Sequence, residues 1–105
     1  VLLGGRNRAL ARHIAEHLVP ALPGYRIVDE LEAIPRALRG QHPDNPVNRP
    51  VGRGVQIELP PGLRWNRAAW GWSDVDGVPR APQVSALVDA LATALTTWPL
   101  RGAGG

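Results

Sequence analysis

Two short apolar runs flank one amphipathic stripe at the start of this chain, and that spacing constrains the fold more than anything else in it. Val1-Leu2-Leu3 stops at Gly4-Gly5, as a buried strand entering a tight turn would. Asn7 is placed to cap a helix, and Leu10, Ile14, Leu18 and Leu22 then recur at steps of four beside Ala11 and Ala15. These positions predict a helix over about 8–18, closed by Pro20 and then by Pro23-Gly24. Tyr25-Arg26-Ile27-Val28 reads as a second strand. Strand, helix and strand in so short a span predict a βαβ unit, hence an α/β fold with a mostly parallel or mixed sheet flanked by helices.

Two later segments extend the pattern. In Gly54-Val55-Gln56-Ile57-Glu58-Leu59 the apolar residues alternate with Gln56 and Glu58, which predicts a strand with one apolar and one polar face, stopped by Pro60-Pro61-Gly62. Val84, Leu87, Val88, Leu91, Leu95 and Trp98 predict a helix over 83–98, ended by Pro99. Residues 30–38 suggest a turn of helix broken by Pro35. Residues 40–50 are too rich in Pro and Asn for regular structure and form a long loop of the kind that carries function. Residues 64–82 read as irregular with some helix. We expect one α/β domain over 1–101 and a flexible Gly-rich tail over 102–105. A chain that opens inside a strand is further expected to be the C-terminal portion of a larger domain.

Composition removes several function classes. Cys is absent, which excludes a disulfide framework, a thiol nucleophile and cysteine-based zinc motifs. No apolar run approaches the length of a membrane span, and no signal-peptide pattern stands at Val1, so the compartment stays unassigned. All 12 basic residues are Arg. Residues 35–67 hold six Arg against two acids, a net +4, whereas the flanking thirds are near neutral. The middle of the chain would therefore draw an anion.

The candidate chemistry is sparse. His13-Ile14-Ala15-Glu16-His17 matches H-x-x-E-H, but a crossover helix packed on a sheet is the wrong context, and a solvated helix edge is the preferred reading. No metal ligands are assigned. Gly4-Gly5-Arg6-Asn7 could offer backbone N–H groups to an anion, although a tight turn explains it as well. Trp65, Trp70 and Trp72 could stack on bases or sugars; packing over the sheet edge is preferred. Glu58, late in a strand and beside Gln56, is either a general base with an altered pKa or a partner for a loop Arg. Asn45, Asn48 and Arg49 bring two amides and a planar guanidinium into one loop. That set could hold a carboxylate, or the loop could simply be tied by Asx turns.

Taken together, His42-Pro43-Asp44-Asn45-Pro46-Val47-Asn48-Arg49, Gly54-Val55-Gln56-Ile57-Glu58-Leu59 and Arg64 resemble the C-terminal half of the poly-γ-glutamate hydrolase family, which is often phage-related. Leu3-Gly4-Gly5-Arg6-Asn7 is similar to that family's strand-to-helix turn. The resemblance implies a partial sandwich like that of zinc carboxypeptidases and hydrolysis of γ-glutamyl amide bonds. It also implies a zinc ion in the complete enzyme, held by an early H-G-G-x-x-E motif and a later His that this sequence lacks. It makes Glu58 the proton-transferring carboxylate. It assigns substrate binding to Asn45, Asn48, Arg49, Gln56 and Arg64, for an anionic polymer or a small glutamyl substrate. By this reading the chain alone binds no zinc and is inactive without the missing N-terminal half of its domain. The alternatives are an inactive remnant, an anion-binding module or, less favoured because Lys is absent, a nucleic-acid-associated phage protein.

Overall fold

A computed structural model of the protein describes residues 1–99; the tail expected over 102–105 lies outside them. Strand β1, Leu2–Gly4, leads through the Gly5 turn into helix α1, Arg8–Ala21. After two single 3₁₀ turns, Leu31–Ala33 and Arg36–Leu38, and a third at Pro46–Asn48, comes strand β2, Gln56–Glu58. A one-turn helix α2, Pro61–Arg64, then enters a small hairpin of β3, Trp65–Asn66, and β4, Gly71–Trp72. Helix α3, Pro82–Thr97, completes the order.

The fold is mixed α/β, and its central sheet is small. β1 pairs antiparallel with β2, in the register Leu2↔Glu58, Leu3↔Ile57 and Gly4↔Gln56. The strand expected at 25–28 narrows to one parallel bridge between Leu2 and Val28, in which Val28 N donates to Val1 O and Leu3 N to Val28 O, both at 2.9 Å. Of the two expected arrangements, mixed and mostly parallel, the mixed one forms. The βαβ handover brings Val28 beside β1, while β2 arrives on its other edge from the opposite direction.

The alternation expected of residues 54–59 holds. Val55, Ile57 and Leu59 pack against the core while Gln56 and Glu58 take the other face. The core joins Leu3 to Ala11, Ile14, Leu18 and Leu22 of α1 and its approach to the next turn, and to Leu63, Leu87 and Ala94. Thus α1 lies on the Leu3 face and α3 packs along α1, instead of the two helices covering opposite faces. The opposite face is covered by the segment after Leu31. Ile34 is buried there, and the Arg39 carbonyl lies so close over Gly4 that a side chain at that position would collide with it.

Helix α1 runs through Pro20 to Ala21, three residues past its expected end at 18. Pro20 forfeits only the bond to the carbonyl of Glu16, an exposed residue, and Leu22 N still closes on Leu18 O at 2.9 Å. His13 also departs from the solvated edge expected of it. Its Nε2 lies 2.8 Å from Ala94 O and 3.1 Å from Thr97 Oγ1, and its ring packs on Trp98 with centroids 5.1 Å apart. The imidazole thus closes the last turn of α3, where carbonyls lack helical partners. None of the helices described is long and apolar enough to cross a membrane.

Candidate functional site

The polar face of β2 and the long loop meet at the turn after β1. Gly5 adopts φ +90°, a left-handed conformation that suits glycine, and the Gly54 carbonyl sits where a side chain would stand. Each N–H of this turn is taken by the chain itself: Gly5 N donates to Arg39 O (2.7 Å), Arg6 N to Asn48 Oδ1 (2.9 Å) and Asn7 N to Gly54 O (3.0 Å). With its donors occupied, the turn is a junction of three loops and not an anion cradle. Asn7 caps α1 as expected, through Oδ1 accepting from Leu10 N at 3.0 Å.

Asn48 is fully buried. While Oδ1 accepts from Arg6 N, its Nδ2 donates to the carbonyls of Gly40 (2.7 Å) and His42 (2.9 Å). Every polar atom of this amide is therefore spent on joining the long loop to the β1 turn. Asn45 Oδ1 accepts from Val47 N at 3.1 Å, an Asx turn that opens the 3₁₀ turn at Pro46–Asn48.

The Asn45 Nδ2 group reaches across to Gln56 Oε1 at 2.8 Å. Gln56 Nε2 in turn faces Glu58 Oε1 at 3.3 Å and Leu38 O at 3.4 Å. A polar chain thus runs from the loop through Gln56 to one oxygen of a half-buried carboxylate. The loop Arg envisaged as a partner for Glu58 does not reach it. Among the described residues, the one arginine–carboxylate pair within 4.0 Å is that of Arg64 and Asp74.

Arg49 follows the buried Asn48 directly and is exposed, its guanidinium without a partner among the described residues. Arg64 is separate from the polar chain. Its Nη1 donates to both Asp74 oxygens (3.1 and 3.0 Å), and its guanidinium lies 5.1 Å from the Trp72 ring centroid. The structure therefore brings Asn45, Gln56 and Glu58 together, ties Asn48 into the fold beside them, leaves Arg49 on the rim, and puts Arg64 in the hairpin region.

Two residues outside the sequence-based set hold this junction. Gln41 Nε2 donates to the Gly5 carbonyl, while its own carbonyl accepts from Arg6 Nε at 2.7 Å. Arg8 sends Nη1 to Gly5 O and Nη2 to Leu3 O, each at 3.0 Å, and also bonds the Asp29 carbonyl. Burial lowers the Arg8 pKa from its ordinary value, while Asp29 and Glu32 act to raise it. The sequence carried a signal for Arg8: a cation in the first turn of a helix opposes the helix dipole, so some other partner must hold it.

The donor set does not suit zinc. Among the described residues no group of three or more His, Asp or Glu side chains converges as a metal site. His13 is engaged with α3, and His17 Nδ1 lies 3.0 Å from the His13 carbonyl.

A family model described as poly-gamma-glutamate hydrolase matches residues 1–69 of the 105. No curated protein and no solved structure matches the chain.

Proposed function

The chain belongs to the poly-gamma-glutamate hydrolase family, and on that premise we propose that it forms the substrate-side part of a hydrolase acting on γ-glutamyl amide bonds. The observation that carries this reading is the polar chain Asn45–Gln56–Glu58, which fixes one carboxylate oxygen on a sheet face. Glu58 accepts a proton from the attacking water and returns it to the leaving amine. Gln56 and Asn45 orient that carboxylate, and Arg49 holds a carboxylate of the polymer through its planar fork. We assign the zinc ion of the complete site to donors outside the described residues. The chain by itself is then expected to be inactive.

Glu58→Gln in the full-length protein carrying this chain tests the assignment. The substitution keeps size and hydrogen bonding but removes the basic oxygen. Release of new amino groups from γ-linked polyglutamate should fall about 100-fold or more, with the unfolding midpoint unchanged. Retained activity, or activity lost only through unfolding, makes Glu58 a structural carboxylate. A second reading is an anion-binding module that does not cut, drawn from the net +4 of residues 35–67. Binding of the polymer without hydrolysis by the full-length protein would establish it.

A further inference from the structure

The hairpin after α2 presents a second, differently built surface. Trp65 and Trp72 are cross-strand partners, and both Trp72 and Trp70 pack edge-on to Trp65, with centroids 4.9 and 5.3 Å away. The sequence suggested that these rings pack over the sheet edge; Trp65 is half-buried, and the other two are not covered. Trp70 is 79% exposed and Trp72 39%. Trp70 also takes φ +54°, a conformation that costs a bulky side chain energy and that holds this ring in solvent. Beside them lies a groove of about 570 Å³ bordered by Tyr25, Trp65, Arg67, Trp72 and Gln83.

The chemistry of that groove is one-sided. Its amides are largely spent: Gln83 Nε2 donates to Trp65 O at 2.8 Å, and Asn66 is bound to Pro79 O and Ala69 N. Among the described residues, the Arg67 guanidinium and the indole N–H groups of Trp65 and Trp72 have no protein acceptor. Arg67 and Trp72 are exposed residues, and among the described residues no buried side-chain nitrogen of a half-buried residue such as Trp65 lacks a partner. Indole and guanidinium donate only. Among the described residues no carboxylate borders the groove, and its side-chain acceptors are the neutral oxygens of Tyr25 and Gln83.

We infer that this groove is an accessory subsite for an extended chain bearing carboxylates and amide carbonyls separated by methylenes. The methylenes lie on the indole faces, and the oxygens meet the indole and Arg67 donors. The inference rests on the proposed reaction for the polymer's identity, γ-linked polyglutamate. The groove itself draws on Trp72 and Gln83, beyond the matched residues 1–69, so it is built separately from the Glu58 junction.

Titrating the chain with a short γ-linked glutamate oligomer and following tryptophan emission tests this. Saturable binding is expected, about tenfold weaker in Arg67→Gln, weaker again in Trp65→Leu, and weakened by salt. Arg67 is exposed, so its substitution leaves the fold intact. Unchanged affinity in Arg67→Gln, or equal affinity for a neutral glucan oligomer, would overturn the inference. The two proposals fail separately. Groove binding with no hydrolysis by the full-length protein removes the reaction and keeps the subsite. Hydrolysis with affinity indifferent to Arg67 removes the subsite and keeps the reaction.

Discussion

The junction around Asn48 and the hairpin around Trp65 are both irregular and polar, yet they treat their hydrogen-bonding groups in opposite ways. At the junction the turn N–H groups and the Asn48 amide are satisfied within the chain, leaving a carboxylate and one arginine on the rim. At the hairpin the donors of the rings and of Arg67 stay open, and a strained backbone holds Trp70 outward. A saturated network fixes geometry, which suits a reacting group that must be held still. Open donors around apolar faces suit adaptable binding of a flexible chain. Substitutions at the junction should therefore act first on stability, and those at the hairpin first on binding.

The largest effect should come from Asn48→Ala. It strips the Arg6 N–H and the Gly40 and His42 carbonyls of a shared partner in a fully buried place. A loss of about 3 kcal/mol is expected, since buried groups left unsatisfied bear their full desolvation cost. Urea unfolding reads it directly. A change below about 0.5 kcal/mol, the range of ordinary surface substitutions, would mean that water replaces the amide and that the junction is no more rigid than the hairpin.

Arg49→Lys sharpens the contrast because it changes the very next residue. Arg49 is exposed and bonds the fold only through its backbone N–H, to Pro46 O, with no side-chain partner among the described residues, so the unfolding midpoint should not move. An ammonium cannot reproduce the planar fork, so in the full-length protein KM for γ-linked polyglutamate should rise about tenfold with kcat little altered. An unchanged KM would remove Arg49 from the substrate-binding set.

The uneven legibility of these regions has a physical cause. The α3 stripe and the alternation at Val55, Ile57 and Leu59 were readable because periodicity is local; α3 emerged near its expected bounds, whereas the strand expected over 54–59 pairs only over Gln56–Glu58. The direction of β2 was not readable: the pairing of Leu3 with Ile57 joins distant segments, and antiparallel and parallel strands share the same alternation. Asn45, Gln56 and Glu58 were readable as polar residues worth watching. That Asn48 would be the buried amide was not, because its burial depends on which carbonyls the loop brings to it. His13 shows the same division. Its spacing to His17 was visible, but its actual partner is the end of a helix from the far end of the chain.

The last effect in size, and the most discriminating, should be the loss of binding in Trp70→Gly, with little change in stability. Glycine adopts φ +54° without penalty, so the substitution relieves a cost of about 1 kcal/mol. It also removes the edge-on contact with Trp65, a pairing of about 0.5–1.5 kcal/mol. The two nearly cancel, and the unfolding free energy should stay within about 0.5 kcal/mol of the parent, as for most surface changes. Oligomer binding should nonetheless weaken measurably, because a ring held in solvent is lost from beside the groove. The two readouts separate the reasons a chain could tolerate a left-handed tryptophan. Clear stabilisation with unchanged binding would mean that the strain at Trp70 serves nothing, and the hairpin would then be as structural as the junction. Clear destabilisation would mean that the ring stack, and not a ligand, holds Trp70 in place.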